Sequence, residues 1–407
     1  MNKFVEPARE LTVTEETEVL VAGGGIAGVA AAMAAARNGA KVTLIEREFL
    51  LGGLATLGLI AIYLPLDDGL GNQVIHGIGE ELFRLSIRHG CEGPYPKAWL
   101  ENGSAEERKK MRFITQFNPH IFALDMEKTL KELGVTVLYG TLITSVVKDG
   151  NSIAGVVIEN KSGRSVITCK TVVDCTGDAD VAFQAGAETA LHEGGNGIAS
   201  WYYYYTEGKV KLKMFGLADV PPSQTPAAEK RGDNPYGNVT VTSLTQTRFS
   251  GVDGAELSRA VQEAHAKMFD DILANREKQA DYAPVTVSTI PLVRMSRRIA
   301  GEYTMDESEN RKGFEDSIGL TGDWRKPGPC FELPFRTLYS SKVPNLICAG
   351  RNISVTDSLW DVTRVIPPCA VTGQAAGTAA AMTDDFSKLD VKELQSVLEK
   401  ANVKLHI

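Results

Sequence analysis

The sequence predicts an α/β protein: a nucleotide domain built on a parallel sheet from separate stretches of chain, with an α+β domain inserted before its last piece. Three observations predict it. Near the N-terminus an apolar run passes through clustered glycines into an alanine-rich segment, "VLVAGGGIAGVAAAMAAARNGAKVTLIER". The C-terminal part returns to that composition, with "VPNLICAGR" patterned as a buried strand and "CAVTGQAAGTAAAM" as a small-residue helix. Between them, short apolar runs divided by turns give way at residues 190–330 to aromatic, Pro-rich and long helical material.

At 407 residues, with 43% hydrophobic and 23% charged residues, the chain suits two or three domains and a large core. A net charge of -8 offers no basic field, which argues against nucleic acid or anionic lipid as partners. The six cysteines include no CxxC pair, so reduced thiols of a cytoplasmic protein are expected, and no metal site. The N-terminus lacks the apolar stretch of a signal peptide. Two uncharged runs, residues 19–36 and 49–66, approach the length of a membrane span. The first is mostly Gly and Ala and the second is broken by Gly52-Gly53, so no span is expected.

Residues 18–46 read as strand, glycine turn, helix, strand. Within them Gly23-x-Gly25-x-x-Gly28 opens the helix, and Glu46 ends the second strand 18 residues beyond Gly28. One glycine makes the tight turn, one lets the backbone approach a pyrophosphate, and one lets helix pack on strand. The helix N-terminus faces the phosphates, and the acid accepts the ribose hydroxyls. Residues 52–66 read as a buried loop, and 70–112 as irregular and partly helical, with "ENGSAEERKKMR" a solvated face. "IFALDMEKTLKELG" has helical spacing through Ile121, Leu124, Met126, Leu130 and Leu133, with Gly134 as its stop. Four strand-like runs follow, with hairpin turns at Asp149-Gly150-Asn151 and Lys161-Ser162-Gly163. Then come an aromatic strand "WYYYYT", whose Tyr202 to Tyr205 alternate between faces, a Pro-rich loop at 219–237 and a long helix near 253–280. Arg231-Gly232-Asp233 in that loop is read as an accident of polar composition.

The glycine fingerprint does not separate NAD from FAD. "GGLAT", "DCTGD" and "GQAAG" do, because an ordinary NAD dehydrogenase leaves them unexplained. Together with "RRIAGEYTM", "LPFRTLYSSKVPNLICAGRNIS" and "TRVIPPCAVTGQAAGTAAA", these motifs resemble those of FAD-dependent oxidoreductases of the glutathione-reductase structural superfamily. The likeness is closest to the bacterial family called FAD-dependent oxidoreductase, distantly related to fumarate reductase flavoproteins, and it runs from about residue 17 to 383. It implies a discontinuous Rossmann-like FAD-binding domain with a parallel sheet and β-hairpin crossover, formed by residues 14–60, 117–190 and 331–384. Residues 61–116 become a cap or loop insertion, 191–330 an α+β substrate domain, and 385–407 a C-terminal helix. FAD is expected to bind without a covalent link, because "GGLATLGLI" holds no His or Cys.

The resemblance implies cofactor roles residue by residue. Gly23 makes the turn, and the amides of Gly25, Ile26, Ala27 and Gly28 cradle the pyrophosphate. Glu46, with Arg47 beside it, holds the adenosine ribose. The segment Gly53, Leu54, Ala55 and Thr56 lies along the ribityl chain and flavin edge, and Leu142 pairs the adenine through its main chain. Thr176, Gly177 and Asp178 form a turn near the pyrophosphate. Gly350 and Arg351 return the chain to the cofactor, and Arg364, Val365 and Ile366 lead into a helix aimed at flavin N1 and O2.

For catalysis, "PLVRMSRRIAGEY" carries Arg294, Arg297 and Arg298. Strand alternation puts Arg294 and Arg298 on one face, suited to a substrate carboxylate, with a structural ion pair as the alternative. Asp357 stands where similar proteins carry a histidine, and Met295 where a glutamate is common. Asp357 is read as that proton shuttle's replacement or as a helix-capping residue. His76 and His192 lie in glycine-flanked loops able to cover a flavin, the bland reading of each being a satisfied loop histidine. The implied activity is hydride transfer between a small anionic substrate and flavin N5, with an unnamed electron acceptor; self-association is left open. The alternatives are a flavoprotein subunit of an electron-transfer complex and a non-catalytic FAD-fold binding protein.

Overall fold

The computed structural model describes residues 3–216, the backbone of 239–240, and residues 244–407. The Pro-rich loop at 219–237, with Arg231-Gly232-Asp233, lies outside the described residues.

The first unit is strand β1 (Val13–Ala22), helix α1 (Ile26–Arg37) and strand β2 (Val42–Ile45). After helices α2 (Gly77–Ser86) and α3 (Pro119–Glu132) come β3 (Thr136–Leu138), β4 (Leu142–Asp149), β5 (Ser152–Asn160) and β6 (Gly163–Asp174). The short strand β7 (Thr189–Leu191) leads to β8 (Ser200–Thr206), β9 (Lys209–Phe215), helix α4 (Gly254–Lys278), β10 (Ala283–Val287) and β11 (Arg297–Ile299). Strand β12 (Leu346–Cys348) and helices α5 (Asp357–Thr363), α6 (Ile366–Met382) and α7 (Val391–Lys400) close the set that positions the site.

The central sheet has seven strands in the order β3-β2-β1-β6-β5-β4, with β12 also paired to β6. β3, β2, β1, β6 and β12 run parallel, while β4, β5 and β6 form an antiparallel meander. β6 is long enough to serve two partners. Its early residues pair β5 and its last three pair β12. This is the mostly parallel sheet with a hairpin crossover that the sequence predicts.

The parallel strands are apolar at nearly every position because both faces are covered. Alternation divides them: Val19 and Val21 join the core under α1 and α6, whereas Leu20 and Ala22 join the core on the other face. α1 is apolar all round and almost wholly buried, as a helix enclosed by sheet and helices must be.

α6 packs on α1 through two glycines. A Cβ on Gly373 would come within 2.3 Å of the Ala27 carbonyl oxygen, and one on Gly377 within 2.1 Å of that of Ala31. The two pairs ascend together, so the helices run parallel with their N-termini at the same edge of the sheet.

In the middle of the chain β8, β9 and β10 form an antiparallel sheet, crossed by α4 through Ala260, Ala264, Met268 and Ile272. Tyr202 and Tyr204 share a face against Tyr282, with Tyr202 Oη donating to Asp271 at 2.5 Å, and Tyr205 is exposed. The tyrosine run is sheet packing.

Three expectations need correction. In α3 the helix forms as expected, but Ile121 and Leu124 face outward. The buried side is Phe122, Ala123, Met126 and Leu130, because the bulky Phe122 sets the phase. Only residues 391–400 of the C-terminal stretch are α-helix. Arg294 lies outside β11, so strand alternation does not relate it to Arg298.

The α1–α6 contact is testable by adding one methyl group. Gly377→Ala gains about 1 kcal/mol of helix propensity, but its methyl overlaps backbone that cannot turn aside. A net loss of about 1–3 kcal/mol is expected, read as a lowered urea midpoint. Gly313→Ala, where a Cβ meets nothing within 4 Å, should stay within about 0.5 kcal/mol of the parent. Equal stability of the two variants would contradict the packing.

Candidate functional site

The site begins at the turn between β1 and α1. Gly23 has φ +100°, and a side chain there would strike the Cys175 carbonyl. Gly28 sits against Gly23, where a Cβ would be 1.9 Å from its oxygen. Gly25 is different: a Cβ there meets nothing within 4 Å. Gly25 caps α1 without a side-chain bond, the first turn carries no acid, and the first intrahelical donor is Val29. The amides of Ile26, Ala27 and Gly28 therefore open onto space with partial positive charge.

Glu46, at the end of β2, is 7% exposed. Its Oε2 accepts from the Gly24 amide at 2.7 Å and its Oε1 from Glu48 at 2.9 Å. Burial raises its carboxyl above the usual range, against these two amides and Arg47. Each oxygen keeps a lone pair for a further donor. Arg47 is exposed, 3.6 Å from Glu48. Leu142 is also exposed, one residue past Thr141, whose amide donates to the Glu46 carbonyl at 3.1 Å.

The second glycine loop docks on the first. Gly52 N–H donates to the Gly24 carbonyl at 2.8 Å, and Gly25 and Gly52 form an isolated parallel bridge. Gly52 and Gly53 both have positive φ, a conformation glycine adopts without strain. Gly53, Leu54 and Ala55 form a short 3-10 turn. Thr56 is fully buried, and its hydroxyl donates to the Leu51 carbonyl at 2.5 Å.

On the facing side, the buried Asp174 ends β6. It accepts from the Thr176 amide at 3.0 Å, the Thr176 hydroxyl at 2.6 Å, Asn352 at 3.2 Å and the Ala182 amide at 2.9 Å. Desolvation raises its carboxyl, and these donors oppose the shift. Gly177 has φ +82°, with the Arg351 guanidinium lying where a Cβ would be. Arg351 donates to the carbonyls of Val293 at 2.8 Å and Arg294 at 3.1 Å, and lies 3.5 Å from Asp178. Asp178 also accepts from the Ser296 hydroxyl. Arg351 thus ties the turn at 176–178 to the segment before β11.

At the α6 N-terminus, Val365 caps the helix without a side-chain bond, Ile366 is its first residue, and Pro367 and Pro368 remove two donors. Gly350 has φ +93° and lies against Ala27, where a Cβ would be 2.8 Å from the alanine methyl. Arg364 is buried and paired to Asp361. Burial pushes the Cys369 thiol in this turn up to about 12, which disfavours thiolate chemistry. All six cysteines are free, and no cluster of metal-ligating side chains occurs among the described residues.

The candidate catalytic side chains fall in three places. His76 caps α2, 3.6 Å from Glu80 and beside Gly77, which abuts Gln374, two turns inside α6 from its N-terminus. Arg294 is buried over the Trp201 ring. Arg298 lies over Trp360, its Cζ 5.4 Å from the ring centroid, and the charge of Asp357 acts on it against the effect of burial. Asp357 does not cap α5; Thr356 does. Instead Asp357 accepts from His192 Nδ1 at 2.9 Å and from the Glu193 amide at 3.0 Å. His192 meets the edge of Trp360 with ring centroids 5.8 Å apart. Arg297, on the opposite side of β11, pairs with Asp180 at 2.6 Å and covers Phe183.

The sequence reading missed Asp174, Asn352 and Trp360. An acid closing an apolar strand in "VVDC" was the one available signal, since a buried carboxylate needs several donors.

The family model described as FAD dependent oxidoreductase matches residues 18–398. Among solved structures, a geranylgeranyl bacteriochlorophyll reductase-like protein from Thermoplasma acidophilum is 15% identical, covering 95% of this chain and 84% of that one at a TM-score of 0.47. L-proline dehydrogenase from P. horikoshii is 14% identical over 96% of this chain and 100% of its own, at 0.42. A flavocytochrome c3 fumarate reductase is 16% identical over 91% and 79%, at 0.39.

Two stability effects follow from this geometry. Asp174→Ala leaves the Thr176 and Ala182 amides and the Thr176 hydroxyl without their acceptor in a dry site and should cost about 3–5 kcal/mol, with Asp174→Asn losing less; chemical denaturation measures both, and an unaffected Asp174→Ala would contradict the network. The Asp180 carboxyl is pushed up to about 6 by burial and by Asp178 and Asp174, against Arg297. A raised folded-state value means its contribution is fully present below about pH 4 and is lost as pH rises through 6. Arg297→Ala removes the opposing cation, so its stability loss should be larger at pH 8 than at pH 5. A loss independent of pH would contradict the pairing.

Proposed function

Because the chain belongs to the FAD dependent oxidoreductase family, we propose that this flavoenzyme transfers a hydride between flavin N5 and a small organic substrate whose anionic group sits on Arg298. The observation that carries the reading is the state of that guanidinium. It is half-buried on Trp360, burial pulls it below the usual guanidinium value, and it makes no hydrogen bond among the described residues. A desolvated arginine without acceptors suits a carboxylate, which can engage two of its N–H groups at once.

The FAD reading rests on fit. The open space over Gly25 and the uncapped first turn of α1 suit a diphosphate, and the spare lone pairs of Glu46 suit the ribose hydroxyls. The exposed position of Leu142 suits the adenine edge, and the glycine loop at 52–53 gives a ribityl chain close backbone contact. FAD, when bound, supplies the two-electron chemistry. The amide end of α6 contributes positive potential, and Thr176, Gly177 and Asp178 shape the wall beside Arg351. The same reading divides the chain into a cofactor domain of residues 14–60, 117–190 and 331–384, a loop insertion at 61–116 and a substrate domain at 191–330.

Truncation of Arg298 tests it. A buried charge-assisted contact contributes about 2–4 kcal/mol, so Arg298→Ala should slow substrate-dependent flavin reduction by roughly 30-fold to 1000-fold. FAD content, read from the visible spectrum and acid release, should stay unchanged, and Arg297→Ala should reduce at the parent rate once folded. Normal reduction by Arg298→Ala would overturn the proposal.

A further inference from the structure

His192 and Arg298 are brought together by strand pairing rather than by sequence. β7 and β11 are antiparallel, with Ala190 directly opposite Arg298. Directly opposed residues share a face, and His192 follows β7 directly, its amide still paired across to the segment before β11. Trp360 then orders both: the Arg298 guanidinium covers its ring and the His192 imidazole meets its edge.

The imidazole is held at one nitrogen and free at the other. Nδ1 pairs with Asp357 at 2.9 Å, and the His192 amide is fixed on the Ser296 carbonyl at 2.8 Å. A carboxylate at Nδ1 favours the tautomer with the proton there, which leaves Nε2 as the acceptor. Nε2 makes no hydrogen bond among the described residues. The residue flanking it is Gly194, where a Cβ would stand 3.2 Å from Nε2, so the absence of a side chain keeps that atom uncovered. The side chain is only 11% exposed. A nitrogen with one lone pair, fixed orientation and an anion-seeking guanidinium on the same tryptophan has the parts of a general base.

We propose that His192 is the proton-transfer residue of this enzyme, with Asp357 its positioning residue, acting on a substrate whose hydroxyl or amino group lies close to the carboxylate held by Arg298. This rests on the reading of Arg298 given above. In the oxidising direction the substrate O–H or N–H proton passes to Nε2. The adjacent C–H bond breaks with both electrons going to the flavin as hydride, and the C–O or C–N bond becomes double. In the reducing direction the imidazolium returns the proton.

The charged groups around the imidazole are Asp357, Glu193 and Arg298. In the reducing direction the ring must be protonated in the complex, and an anion on Arg298 stabilises that form, so binding of an anion lacking the reacting hydroxyl or amino group should draw a proton from solution. The test uses FAD-loaded protein and malonate as the probe. Calorimetric titration in two buffers of different ionisation enthalpy at pH 7.5 reads proton uptake, and the flavin difference spectrum reads binding. The parent should take up a substantial fraction of a proton per malonate. His192→Gln should bind malonate with uptake near zero, and Asp357→Asn should bind it with reduced uptake. Parent-like uptake by His192→Gln overturns the proposal. Parent-like malonate affinity in Arg298→Ala overturns the anion-binding reading instead. Retained FAD in each variant confirms that the fold is intact.

Discussion

The structure depends on two helices whose backbones nearly touch. α1 and α6 belong to opposite ends of the chain, yet Gly373 and Gly377 bring α6 onto the carbonyls of Ala27 and Ala31 with no room for a methyl group. Because the helices are parallel, their positive ends meet at one edge of the sheet. The glycine turn, the Gly52 loop and Gly350 all gather at that edge. Larger side chains in α6 would separate the helices and move the two N-termini apart. The alanine and glycine content of both segments is thus a steric requirement before it is an electrostatic one.

Around that edge the chain treats charge in two ways. Asp174 is buried and fully engaged by four donors, so it fixes the turn at 176–178 and has no remaining chemistry to offer. Arg297 is likewise committed to Asp180. Arg298, its neighbour in sequence, faces the other way, and its buried Nε has no hydrogen-bond acceptor among the described residues. A partly desolvated guanidinium left in that state carries an energetic cost that a ligand can relieve, and this difference separates the paired Arg297 from the arginine proposed to hold an anion.

Much of this was legible in the sequence, for identifiable reasons. The glycine turn, Glu46, the hairpin crossover and the small-residue helix are local patterns whose geometry follows from residue size and alternation. The phase of α3 was misjudged because Ile121 and Leu124 fit the helical period as well as Phe122 and Met126 do; only the neighbouring elements decide which stripe is covered. Extending strand alternation from Arg298 back to Arg294 failed because Asn196 bonds the amides of residues 294 and 295 and holds that segment out of the strand. The His192–Asp357 pair joins loops 165 residues apart, and no spacing rule connects them. Asp357 was legible as unusual, but its role as a hydrogen-bond partner belongs to tertiary structure.

The order of synthesis adds a consequence of how β6 is shared. Its last residues wait for β12 at 346–348, and α1 waits for α6 at 366–382, while both are made near the start or middle of the chain. A ribosome-bound fragment already carries the complete glycine turn and an α1 that is apolar up to its last residue, Arg37, but not the α6 that covers it. Contacts so distant in sequence close slowly, and exposed apolar surface favours aggregation during the delay. The cofactor site is therefore among the last features of the nascent protein to be completed.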